Sequence, residues 1–197
     1  MDIKESVYQP DRLKKLAEAS KTSFRGIKAL FDYVMNFRES QHSELLLEAG
    51  VNLVTNYSGS IDDSSYYLIE ESFYSALDVK QLDWANMFLK ILVKKFPQAP
   101  KVMRMLAMLH EALQDHEKAR DIYTELLTIN PNDTLTLKRL VALERDRDRS
   151  NEAISILNKY LEVNMQDTEA WLELTDIYLQ RLNYSKAQYC YEELIAM

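Results

Sequence analysis

The side chains that could do chemistry are few and scattered. His42, His110 and His116 could act as general bases or metal ligands, but His110 and His116 are spaced to fall on different faces of a helical hairpin. No H-E-x-x-H or C-x-x-C spacing accompanies them. Cys190 is the sole cysteine, so no internal disulfide can form, and beside Tyr189 and Tyr191 it reads as a small buried hydrophobe. Adjacent carboxylates such as Glu70-Glu71 and Glu192-Glu193 project to different sides of a helix and read as solvated surface. Glycine-rich phosphate loops, a G-x-S-x-G elbow and a dinucleotide fingerprint are all missing from the sequence. These residues predict no enzyme, no cofactor and no metal. The chemistry left is that of binding: charges, tyrosines and apolar side chains at regular intervals.

Those intervals define the elements. Ala85, Ala119, Ala153 and Ala187 recur at a step of 34 residues without insertion. In rows begun at Tyr66, Pro100, Thr134 and Thr168, column 24 reads Leu89, Tyr123, Leu157, Tyr191 and column 27 reads Leu92, Leu126, Tyr160, Leu194. This period and pattern are those of the tetratricopeptide repeat, a helix–turn–helix unit. The spacing predicts a first helix over about columns 2 to 14 and a second over about columns 17 to 30. The small residue at column 20 lets the two helices approach, and the large residues at columns 24 and 27 fill the groove between them. Pro97 and Pro131 end second helices, and Pro131-Asn132-Asp133-Thr134 reads as a stop followed by a cap. All three glycines precede residue 60, which leaves no strand-turn signal in the repeats. The expected fold is an all-α tetratricopeptide-repeat superhelix with an N-terminal helical cap.

The expected division is an irregular segment over 1–23, with at most a short helix near Pro10, then capping helices over 24–65. Four repeats follow over 66–99, 100–133, 134–167 and 168–197. Ile27, Leu30, Phe31 and Val34 mark the first capping helix, while Ser43 opens the second. The run Glu144-Arg145-Asp146-Arg147-Asp148-Arg149 reads as a solvated corner.

Composition agrees with a soluble solenoid: 47% apolar residues, 28% charged, net charge −7. No segment is basic enough to track phosphates, which argues against nucleic acid. The N-terminus lacks an apolar signal region and no stretch is long enough to span a bilayer, so the sequence predicts the cytosol or a surface facing it.

Columns 2, 5, 9 and 12 of each first helix should line a concave groove. The candidate partner-binding residues are Tyr67 and Tyr74 at one end and Lys101, Arg104, Met108, Lys138, Arg139 and Arg145 in the middle. Glu169 and Asp176 stand at the other end. Such a gradient suits an extended or helical peptide of mixed character. The Lys/Asn/Asn/Lys/Arg clamp with which repeat co-chaperones hold a chaperone's C-terminal carboxylate would fall on Glu70, Tyr74, Met105, Leu135 and Arg139, where only Arg139 fits. One repeat later, Glu169 and Glu173 would repel the ligand. Tyr184, Ala187, Tyr191 and Leu194 form an apolar strip on the last helix, and the strip predicts self-association through the C-terminal hairpin or a partner packed there.

Longer segments carry a resemblance. Asn158-x-Tyr160-Leu161-Glu162, Asp167-x-Glu169-Ala170-Trp171-x-Glu173-Leu174 and Tyr184-x-Lys186-Ala187-x2-Cys190-x-Glu192-Glu193-Leu194 follow in order. In these the chain resembles the subunit 2 family of the endoplasmic reticulum membrane protein complex. The likeness covers about residues 44–197, and residues 1–40 do not follow the pattern. It implies a non-catalytic subunit on the cytosolic side of that membrane, in a complex that inserts tail-anchored and multi-spanning proteins. The groove would bind other subunits of the insertase. The family pattern continues past the Glu-Glu-Leu segment with further helices. From the residues alone, a soluble adaptor or co-chaperone, or an assembly scaffold unrelated to membranes, stays an open alternative.

Overall fold

The computed structural model describes residues 10–37 and 42–196. Residues 1–9 of the segment expected to be irregular, and Met197 of the last repeat, lie outside them. Among the described residues the regular structure is helical: α1 (Pro10–Thr22), α2 (Phe24–Phe37), α3 (Ser43–Asn56), α4 (Tyr66–Asp78), α5 (Leu82–Lys95), α6 (Pro100–Ala112), α7 (His116–Ile129), α8 (Thr134–Asp146), α9 (Ser150–Val163), α10 (Thr168–Gln180) and α11 (Tyr184–Ala196). Two single 3-10 turns, Ser58–Ser60 and Asp63–Ser65, lead into α4. The chain forms two compact units, Met1–Met105 and Leu106–Met197, with the boundary inside α6.

The column-20 alanines explain why the helices pair. Ala85, Ala119 and Ala153 are 0% exposed and Ala187 2%, as the register requires. The large column-24 and column-27 side chains Leu89, Leu92, Tyr123, Leu126, Leu157 and Tyr160 are buried beside them. In α11 the pattern loosens, since Tyr191 is 45% exposed and Leu194 half-buried. In the second unit the core runs from Leu137 and Val141 through Leu157 and Leu174 to Ala187 and Cys190. Cys190 is buried, and burial pushes its thiol pKa up, as a structural cysteine requires.

Each hairpin turns on a residue with positive φ: Lys80 (60°), Gln114 (62°), Asp148 (55°) and Leu182 (55°). The next backbone N–H reaches back to close the first helix. Gln81 N donates to Ala76 O (2.8 Å), Asp115 N to His110 O (2.9 Å), Arg149 N to Glu144 O (2.9 Å) and Asn183 N to Tyr178 O (2.8 Å). These bonds are Schellman closures, in which a left-handed residue satisfies carbonyls that a helix end leaves unpaired. None of the four residues is glycine.

The N-terminal segment departs from the irregular chain expected over 1–23, because residues 10–22 form the helix α1. Its apolar stripe is narrow, Leu13, Leu16, Ala17 and Ser20 among lysines and glutamate, so the periodic signal is weak. Close packing supplies the rest. A Cβ at Gly26 would stand 2.2 Å from the Ala19 carbonyl oxygen, so only glycine lets α2 lie this near the end of α1. Ser23 Oγ accepts from Gly26 N (3.1 Å) at the start of α2, and Asn52 Nδ2 donates to Ser20 O (2.8 Å), tying α3 to α1. Gly50 makes a second close approach, its missing Cβ lying 2.1 Å from Ser72 Oγ on α4.

The charged run 144–149 is also not the solvated corner expected. Glu144 is fully buried, with Arg120 Nε at 2.9 Å and Arg149 at 3.8 Å. Arg147 and Arg149 both turn to Glu117 on α7. Alternating charge on this turn is used to fasten α7 to the α8–α9 corner. The cap before α8 falls on Asp133, whose carboxylate accepts from Thr136 Oγ1 (2.5 Å), while Asn132 is exposed.

Candidate partner-binding groove

In the first unit, Tyr67 sits on α4 and its hydroxyl donates to Asp32 Oδ1 on α2 (2.7 Å). Burial, with that carboxylate, pushes the phenol's pKa up and keeps it neutral. Tyr74 lies two helical turns further, half-buried, edge-on to Phe73 at 5.5 Å. Lys101 at the start of α6 is ion-paired with Glu70, and Arg104 is half-buried a turn later.

In the second unit, Lys138 and Arg145 point from α8 toward acids at the cap of α10 and within it. Lys138 Nζ is 2.7 Å from Asp167 and lies over the Tyr160 ring at 5.4 Å. Arg145 forks to Glu173 and Asp176, 2.9 Å each, and the Glu173 hydrogen bond, with the two negative charges, holds its pKa above the ordinary value. Arg139 is 3.9 Å from Glu111. Burial raises the Glu111 carboxyl pKa although Tyr123 donates a hydrogen bond to it. Met108 is half-buried and Glu169 exposed.

Lys101, Lys138, Arg139 and Arg145 therefore each have a carboxylate within 4 Å. Glu70 in the first unit, and Asp167, Glu111 and Glu173 in the second, supply the opposite charges. Sequence reading missed these carboxylates as partners. Their separations from the cations, 31 residues for Lys101–Glu70 and 28 for Arg145–Glu173, carry meaning only once a 34-residue repeat places neighbouring first helices side by side. Among the described residues no cluster of three or more potential metal ligands occurs, and no helix is long and apolar enough to cross a membrane.

Paired helices at a fixed step, alanine-spaced and closed by left-handed turns, define a tetratricopeptide-repeat protein. Solved structures share this fold: a repeat protein from Parabacteroides merdae matches with a TM-score of 0.57 at 21% identity over 94% of this chain and 66% of that one. The MamA RS-1 double mutant matches with 0.61 at 10% identity over 96% of each. Residues 82–197 match the family model described as the EMC2 TPR-like repeat domain, and the chain belongs to the ER membrane protein complex subunit 2 family. Subunit 2-A of Xenopus laevis is 35% identical over 160 residues, 81% of this chain and 53% of the relative. Subunit 2 of Dictyostelium discoideum is 34% identical over 78% of this chain and 48% of the relative. The TPR repeat protein oca3 of Schizosaccharomyces pombe is 30% identical over 71% and 49%. The chain spans about half the length of these curated relatives.

Proposed function

We propose that the protein is a non-catalytic scaffold subunit of the ER membrane protein complex, held at the cytosolic face of the membrane through partner subunits. In this reading its repeat groove binds other subunits and so supports the insertion of tail-anchored and multi-spanning proteins. The family match over residues 82–197 carries the reading. The groove's chemistry supports it, because cations already paired with carboxylates suit a mixed-charge protein segment better than a single terminal carboxylate. A soluble co-chaperone role is disfavoured on the same ground. Self-association, or a partner packed on the C-terminal hairpin, belongs to the same proposal.

Affinity purification of the tagged chain from cells in mild detergent tests it. Membrane-embedded insertase subunits are expected to co-purify, and charge reversal at Lys138 and Arg145 should reduce their recovery. Recovery of heat-shock chaperones alone would overturn the reading.

A further inference from the structure

The second unit carries a cleft on another face. Between α9 and α11, floored by α10, lies a cavity of about 620 Å³ with Leu161, Met165, Trp171, Leu174, Tyr189 and Cys190 in its wall. None of these is a groove residue. Trp171 and Tyr189 meet edge-on at 6.4 Å, and Trp171 Nε1 is fixed by the Met165 carbonyl (2.8 Å), so the aromatic wall is held in place. A second hollow of about 290 Å³ adjoins it, sharing Tyr178 and Lys186 and adding Asn151, Ile154, Arg181 and Asn183.

The charges along this cleft are ordered. Arg181 and Lys186 stand at the end where α9 and α11 begin, and Glu193 and Glu162 line the cleft about two helical turns further along α11 and about three along α9. The two cations differ from most in the unit. Lys118, Arg120, Lys138, Arg145, Arg147 and Arg149 each have a carboxylate within 4 Å. Arg181 instead donates to the neutral amide of Asn151, and Lys186 Nζ sits over the Tyr178 ring at 5.4 Å. The hollow contains no carboxylate, although the last repeat holds five acids and two bases. Two local cations without counter-charge, beside an apolar hole that ends in carboxylates, complement a segment charged in the opposite order.

We propose that this cleft is a second docking site, independent of the repeat groove, for a linear peptide that carries an acidic side chain, then a large aromatic or aliphatic one, then a basic one. The apolar side chain packs against the wall that Trp171 and Tyr189 form together. The acidic one meets Arg181 and Lys186, and the basic one meets Glu162 and Glu193. The inference rests on the second unit's own geometry and stands or falls apart from membership of the membrane complex.

The test is fluorescence anisotropy with labelled synthetic peptides of about twelve residues, long enough to span the cleft. They place Glu-Glu, Phe and Lys-Lys in that order, in both chain directions. Saturable binding by at least one is expected, weakened about tenfold or more by Phe→Ala in the peptide, by R181E/K186E and by Y189A. Because Arg181, Lys186 and Tyr189 are exposed, circular dichroism should show these variants folded. R145E, in the repeat groove, should leave the affinity unchanged. Binding of neither peptide at about 1 mM would overturn the proposal. So would binding indifferent to R181E/K186E and Y189A, or binding abolished by R145E.

Discussion

At the scale of single residues, two acids hold the second unit together by opposite means. Glu144 is 0% exposed and depends on arginines that reach it from the surface. Removing its counter-charge leaves a buried carboxylate unpaired, whereas removing the carboxylate leaves arginines that water can still reach. R120M is therefore expected to lower unfolding stability by about 2 kcal/mol, and E144Q by less, measured from urea midpoints. Equal losses would show that Arg149 alone suffices to pair the buried carboxylate. Asp167 binds three helices at once: Lys138 of α8, Tyr160 of α9 (2.6 Å) and the Ala170 N–H of α10 (3.2 Å). The Lys138 and Tyr160 hydrogen bonds bring its carboxyl pKa from 3.8 to about 2. A folded-state pKa below the unfolded one means that the ionised acid adds stability above about pH 4 and that this is lost as pH falls through 2. The stability gap between wild type and D167N should narrow between about pH 4 and 2 in acid-titrated urea unfolding, and a constant gap would refute the assignment.

At the scale of elements, the alanine step made the hairpins legible, because a column that must be small shows through any other change. The turns between paired helices were not legible. Lys80, Gln114, Asp148 and Leu182 share nothing in type, and only their common place in the period unites them. The helix α1 was missed for a related reason: its place is set by Gly26 and Asn52, in other helices, more than by its own thin stripe. The left-handed turns nonetheless make a prediction. A non-glycine side chain there costs about 1–2 kcal/mol, partly offset by the greater freedom glycine gives the unfolded chain. L182G should thus raise stability by about 0.5–1 kcal/mol. D148G should gain less, because aspartate tolerates this conformation better. Thermal melts of the two variants decide it, and a lowered Tm for L182G would show that its exposed side chain makes a contact that matters.

At the scale of the whole molecule, the repeat fold was legible from column positions and the family from the longer segments, but the ion pairs of the candidate groove residues were not, since each cation's partner lies far from it in the sequence. The exposed strip of the last helix also changes membership. Ala187 and Cys190 face inward with half-buried Leu194, and Lys186, Tyr189 and Glu193 line the cleft with α9. The opposite flank of α11 carries Tyr184 at 65% exposure, Tyr191 at 45% and Ile195 at 86%, spaced at seven and four so that they form one stripe. An apolar stripe of this kind gains by leaving water, and a second copy of the chain is the partner always present in a purified sample. The protein is expected to dimerise with rising concentration through this flank. Multi-angle light scattering should show the mass moving from one chain toward two, and Y184E/Y191E should hold it at one with the helix content unchanged. Wild-type protein that stays monomeric at high concentration would leave the stripe without this role, and a dimer that survives both substitutions would place the contact elsewhere.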